Sequence, residues 1–173
     1  MNIKYPEDLE KLYSLKAGEV VNLTSTIYTA RDAAHLRLKQ MVEKNEKLPI
    51  DFNNQIIYYA GPTPTKPGKI VGSIGPTTSS RMDPYGPLMK KLNVKATIGK
   101  GPRSKECTRF YIENKILYFV ATGGCGALLS HQVTSAKEIA FFDLGPESIK
   151  KLEVVDFPII LAIDAFGNNI FDE

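Results

Sequence analysis

Apolar and polar positions change rhythm several times along this chain, and each change marks an element. A short amphipathic stretch runs from Pro6 to Leu15, with Pro6 suited to a first helical turn. Val20, Val21, Leu23, Ile27 and Tyr28 predict a strand over 19–29. Ala34, Leu38 and Met41 fall at i, i+4 and i+7, which predicts a helix from Arg31 to about Lys47. Thr29, with Asp32 three positions on, gives its start a capping-box pattern. A strand over 55–60 leads into the turn-rich run 61–68, and a second strand over 69–74 leads into the polar run Gly75-Pro76-Thr77-Thr78-Ser79-Ser80-Arg81-Met82-Asp83.

The second half continues the interleaving. A short helix is expected over 84–92, a strand over 94–98, a helix over 103–113 and a strand over 116–121. The block Thr122-Gly123-Gly124-Cys125-Gly126 closes that strand, and a short helix follows over 127–132. Strands are expected over 138–142 and 152–155. Asp156-Phe157-Pro158 is expected to break the chain before a last buried strand over 159–163. No repeat or linker divides the chain. The reading is one α/β domain over residues 1–173.

Composition narrows the function more by exclusion than by suggestion. The net charge of +3, from 22 basic and 19 acidic residues, is too small and scattered to argue for nucleic acid or a membrane surface. No apolar run reaches the roughly 18 residues of a membrane helix. Met1–Asp8 is polar where a signal peptide would be apolar, so a cytoplasmic location is expected. The two cysteines, Cys107 and Cys125, lack CxxC spacing and read as reduced thiols. Two thiolates are too few to hold an iron–sulfur cluster, so any such cluster must come from another chain.

Three polar stretches each follow a predicted strand, where open α/β sheets place ligands. In Tyr28-Thr29-Ala30-Arg31-Asp32-Ala33-Ala34-His35 a strand enters a helix with Arg31 in its first turn. Unpaired backbone N–H groups there attract anions, and a guanidinium offers a bidentate fork to a carboxylate. The plainer reading has Thr29 capping the helix and Arg31 paired with Asp32 or solvent, and the octet alone favours it. An arginine at this end opposes the helix dipole, which hints at another task. His35 reads as a packing residue. The second stretch, 75–83, offers four consecutive hydroxyls and Arg81 to an oxyanion, or is an ordinary polar turn with Asp83 or Ser80 capping the next helix. It is not a P-loop. The third, Ile98-Gly99-Lys100-Gly101-Pro102, sets a lysine between glycines that let a ligand approach the backbone. Together Arg31, Arg81 and Lys100 would suit a small dianion with two carboxylates.

At these residues the chain resembles the C-terminal domain of class I fumarases and the β subunit of L-tartrate dehydratases. The matching blocks are Thr29–His35, Tyr59-Ala60-Gly61-Pro62, Gly75–Asp83 and Ile98–Gly101. Gly123–Leu129, Leu144-Gly145-Pro146-Glu147-Ser148 and Val155–Pro158 follow in the same order. The chain departs from the family pattern at Ser80, at Cys125 and Gly126, and at Pro146. The resemblance implies a swivelling β/β/α three-layer domain with a mixed central sheet. It implies reversible hydration of a dicarboxylate such as fumarate, or the related dehydration of tartrate. A 4Fe–4S cluster would be held by a partner α subunit and not by this chain, which would be inactive alone. The assembly would be a hetero-oligomer, with homodimerisation possible. By motif position Arg31, Arg81 and Lys100 would bind substrate carboxylates, and Thr77 would transfer a proton, with Thr78 as the alternative. Asp32 would steady Arg31. A stand-alone anion-binding module of the same fold, or a nucleotide-binding protein using Gly99-Lys100-Gly101, are the competing readings.

Overall fold

A computed structural model describes residues 1–122 and 124–172. Seven strands form one mixed sheet: β1 (Asn2–Lys4), β2 (Val20–Thr29), β3 (Ile56–Tyr58), β4 (Ala96–Gly99), β5 (Leu117–Val120), β6 (Val133–Ala140) and β7 (Ile149–Ile163). Their order is β1-β2-β3-β4-β5-β7-β6, with a further pairing between β2 and β7. That pairing closes β2, β3, β4, β5 and β7 into a five-stranded, barrel-like ring. The first four are mutually parallel, and β7 runs antiparallel to both of its ring neighbours. The α/β class read from the interleaved elements and the mixed sheet implied by the resemblance are both present.

The ring interior is filled by alternate side chains. Val21, Leu23 and Ile27 of β2, Ile56 and Tyr58 of β3, Ala96 and Ile98 of β4, and Leu117 and Phe119 of β5 pack in one cluster. The intervening residues Ile57 and Tyr118 belong to a second cluster under α2 (Asp32–Glu43), α3 (Gly86–Lys91) and α4 (Lys105–Glu113). Strands β3–β5 are therefore buried on both faces, which explains their unbroken apolar runs. Truncating an interior residue such as Leu23 to alanine would cost about 2–5 kcal/mol. The short helices α1 (Leu9–Ser14) and α5 (Gly126–Ser130) add Leu12 and Leu129 to the interior cluster.

Four expectations need correction. The strand over 69–74 does not form. Thr63 N–H instead donates to Ser73 O and Ser73 N–H to Thr63 Oγ1, both at 2.9 Å, while Ile74 N–H bonds Gly126 O. The excursion is thus satisfied by its own neck and by α5 rather than by a ladder. The strand placed at 138–142 starts earlier, at Val133, and stops at Ala140, because Phe141 adopts a left-handed φ of 58°. Thr29 does not cap α2: its hydroxyl accepts Lys150 N–H at 3.0 Å, and Arg31 takes the N-cap position.

The fourth correction concerns Asp156-Phe157-Pro158, which does not break the chain. β7 runs through it as one strand with a bulge, where Val155 and Asp156 together oppose Thr24. Asp156 sits at φ 52° and its N–H donates to Thr24 Oγ1 at 3.2 Å. The extra residue has a clear purpose. Leu152 and Val154 before it, and Phe157, Ile159 and Leu161 after it, all point into the ring. Their spacing changes parity between 154 and 157, and the bulge restores the inward phase. The strand Asn2–Lys4, paired in parallel with Asn22–Thr24, was not anticipated at all.

Candidate active site

The three polar stretches all leave the same ends of adjacent parallel strands. Arg31 follows β2, the run 75–81 belongs to the connection after β3, and Lys100 follows β4. The turn 75–81 is folded back onto the strand ends. Thr77 N–H donates to Tyr59 O at 2.6 Å, Ala60 bridges Pro76, and Thr78 bridges Lys100 in parallel. Ser79 fixes the last step. Its N–H donates to Lys100 O, and its hydroxyl accepts Lys100 N–H, each at 2.9 Å. A Cβ at Gly99 would come within 1.9 Å of Ser79 Oγ, so the glycine permits this approach. Lys100 is exposed, Thr77 is half-buried and Thr78 is exposed.

Arg31 and Arg81 meet through Asp32. Asp32 Oδ2 lies 2.9 Å from Arg81 Nη2 and 3.9 Å from Arg31 Nε. Glu147, from the 3-10 segment Phe142–Glu147, reaches Arg31 Nε at 3.5 Å. Neither carboxylate makes a well-formed hydrogen bond to that nitrogen, which is buried without a partner among the described residues. Arg31 itself lies against Gly61, where an added Cβ would meet its Nη1 at 2.9 Å. The guanidinium is therefore held by packing and by two nearby carboxylates, with hydrogen-bonding capacity to spare.

Beneath Arg31 lies His35, fully buried between the rings of Tyr59 and Tyr85. Its Nδ1 is 2.8 Å from Arg31 O. A carbonyl only accepts, so Nδ1 carries the proton and Nε2 is left bare and unpartnered among the described residues. Burial lowers the His35 pKa to about 4, against the smaller opposing pull of the Arg31 carbonyl. The imidazole is neutral, and its place is packing and support of the Arg31 backbone.

Sequence reasoning brought Arg31, Asp32, Thr77, Thr78, Arg81 and Lys100 to one end of the sheet, and the structure sets them there. It missed Glu147, although the Pro146-Glu147 pair was visible as a motif. It also missed the pair Asp83–Arg103. Asp83 does not cap α3; its Oδ1 lies 2.5 Å from Arg103 Nε and its Oδ2 accepts Ser104 N–H at 2.7 Å. Gly123 of the glycine block lies outside the described residues.

The donor set does not suit a cluster on this chain. Cys107 is buried, and burial pushes its thiol up to about 12, where it stays protonated. Among the described residues no three His, Cys, Asp or Glu side chains gather as a metal site. No described helix is long and apolar enough to cross a membrane.

Comparison with known proteins gives the family. The family model described as Fumarase C-terminus matches residues 1–173. The putative L(+)-tartrate dehydratase subunit beta of Methanocaldococcus jannaschii is 44% identical over 173 residues, covering 96% of this chain and 87% of that protein. The L(+)-tartrate dehydratase subunit beta of Escherichia coli K12 is 36% identical over 177 residues, covering 97% of this chain and 85% of that one. The anaerobic class I fumarate hydratase of the same organism is 35% identical over 175 residues, and these span all of this chain but 32% of the hydratase. The chain belongs to the Fumarase C-terminus family of hydro-lyase components.

Proposed function

We propose that this chain is the β subunit of a two-subunit iron–sulfur-dependent hydro-lyase, which hydrates fumarate to malate or dehydrates tartrate. The observation that carries the reading is the gathering of Arg31, Arg81 and Lys100 around two threonines at one end of the parallel strands. Three cations against Asp32 and Glu147 leave net positive charge there, which suits a dicarboxylate. Arg31 and Arg81 offer planar forks to the carboxylates, and Lys100 adds a mobile point charge.

Thr77 is the proton-transfer residue. In the dehydration direction its oxygen takes the proton from the carbon next to the one that loses hydroxide, and in hydration it returns that proton. A threonine hydroxyl is a poor base, so it works as an alkoxide stabilised by Lys100 and Arg81, with an acidic residue of the partner completing the relay. Thr78 is more exposed and is the second candidate. The 4Fe–4S cluster belongs to the α subunit, where it would supply a Lewis acid toward the departing hydroxide. We read the fold as the swivelling β/β/α type and the assembly as a cytoplasmic hetero-oligomer.

The test is co-expression with the α subunit, followed by an anaerobic assay of fumarate, tartrate and mesaconate. Turnover of one acid by the complex, with none by either chain alone, is expected. A complex that turns over none of them, or activity of this chain alone, overturns the proposal.

A further inference from the structure

Arg103 is the one cation whose side chain is entirely buried among the described ion pairs, at 0% exposure. Its guanidinium lies 4.7 Å from the ring centre of Tyr111, 5.1 Å from Tyr118 and 5.5 Å from Tyr59. A single carboxylate, Asp83, pairs with it at Nε, and Nη2 has no hydrogen-bond partner among the described residues. Burying a charge this way is costly, and apolar groups can replace many buried ion pairs without loss of stability. Stability alone is therefore a poor reason for an arginine here.

The geometry gives a better one. Asp83 sits two residues after Arg81 in the same 3-10 turn, Ser79–Tyr85. Its second oxygen takes Ser104 N–H, so the pair bolts that turn to the start of α4. Lys100 lies on the short segment between β4 and Arg103. The tyrosine floor holds the other end: Tyr118 O–H donates to Gly101 O at 2.6 Å, and the same hydroxyl lies 2.8 Å from Ser79 Oγ. Ser79 in turn exchanges two hydrogen bonds with the Lys100 backbone. Arg103 thus underlies both the turn bearing Thr77 and Arg81 and the strand end bearing Lys100.

We infer that Arg103 is a positioning residue: through Asp83 and the tyrosine floor it fixes the spacing of Arg81 and Lys100 without touching substrate. The inference rests on the carboxylate-binding reading only for its catalytic consequence. Lysine cannot replace it, because a point charge on a flexible stem does not span Asp83 and three ring faces.

Two readouts test it. In the full chain, amide hydrogen exchange is followed at Ser79 and Lys100, whose N–H groups bond neither Asp83 nor Arg103. Arg103→Lys and Asp83→Asn should each reduce protection there by about tenfold or more, while the β2–β7 ladder amides, and Leu161 whose N–H bonds Glu19 O beside β2, stay unchanged. Equal loss across the whole sheet, or unchanged protection at Ser79 and Lys100, overturns the inference. If Arg103→Lys does not fold, Asp83→Asn gives the same reading. In the assembled enzyme kcat should fall by about tenfold or more, with a smaller change in KM. A variant within about twofold of wild type in kcat overturns positioning. A wild-type complex without hydro-lyase activity would instead defeat the proposed function and leave the exchange result to decide this one.

Discussion

Arg81 and Asp32 are joined at 2.9 Å although 49 positions separate them in the chain. Both side chains are more than one-third exposed, so the pair contributes at most about 1 kcal/mol to stability. Substituting Arg81 should therefore leave the fold intact and report on the site. Arg81→Met and Arg31→Met should each lower kcat/KM of the assembled enzyme by roughly 10- to 150-fold, as expected for one lost charge-assisted bond. Lysine at either position should lose less than methionine, because it keeps the charge and forfeits only the fork. Steady-state kinetics, with circular dichroism to confirm folding, decides this. Near-wild-type values for both methionine variants would remove the arginines from substrate binding.

Thr77 and Thr78 differ in their surroundings more than their adjacency suggests. Thr77 is half-buried with its N–H on Tyr59 O, and Thr78 is exposed beside Lys100. Thr77→Val should lower kcat by on the order of 10²-fold with little change in KM, and Thr78→Val should do much less. The opposite ranking would transfer the proton-transfer role to Thr78.

His35 predicts an acid limb in stability. Its pKa is about 4 in the folded chain and near the ordinary 6.5 in the unfolded one. The unfolded state therefore binds the proton first. The stability of the neutral, buried imidazole is fully present above about pH 6.5 and is lost as pH falls toward 4. The total is on the order of 3 kcal/mol. Urea denaturation at a series of pH values should show this slope in the wild type and a shallower one in His35→Phe. Equal slopes would exclude His35 as the source.

The bulge in β7 makes a stability prediction of its own. Asp156 occupies a left-handed backbone, so Asp156→Gly should stay within about 0.5 kcal/mol of wild type, and Asp156→Val should cost about 1–2 kcal/mol. Deleting Asp156 should abolish cooperative unfolding, because Phe157, Ile159 and Leu161 would then face outward. A deletion variant with a normal urea transition would show that the register can slip without penalty.

The sequence-readable parts of this fold are those set by local periodicity. The alternation in Val21, Leu23 and Ile27 and the i, i+4, i+7 spacing of α2 were sufficient for β2 and that helix. The parity change between Val154 and Phe157 was equally visible, but a bulge and a chain break look alike until the partner strand is known. The segment 69–74 has strand-like residues, but its backbone bonds go to the neck at Thr63 and to Gly126 O rather than to a ladder. At the site, Arg31, Arg81 and Lys100 stood out because each sits in a polar run after a stretch with strand-like residues. Arg103 gave no such signal. Its partners Asp83, Tyr59, Tyr111 and Tyr118 come from four separate stretches of the chain, and only the folded sheet assembles them.

The self-closed neck at Thr63 and Ser73 separates what lies beyond it from what lies before. Residues Thr63–Ile70 are all exposed, while Gly61 at one side packs on Arg31 and Ile74 at the other bonds α5. A neck of this kind makes its tip a seam for grafting. A reporter peptide or a second small domain spliced near Pro67-Gly68 would pay only a slowly growing loop-closure entropy. The chain could then be followed through assembly by a label that leaves the cation-bearing strand ends in register.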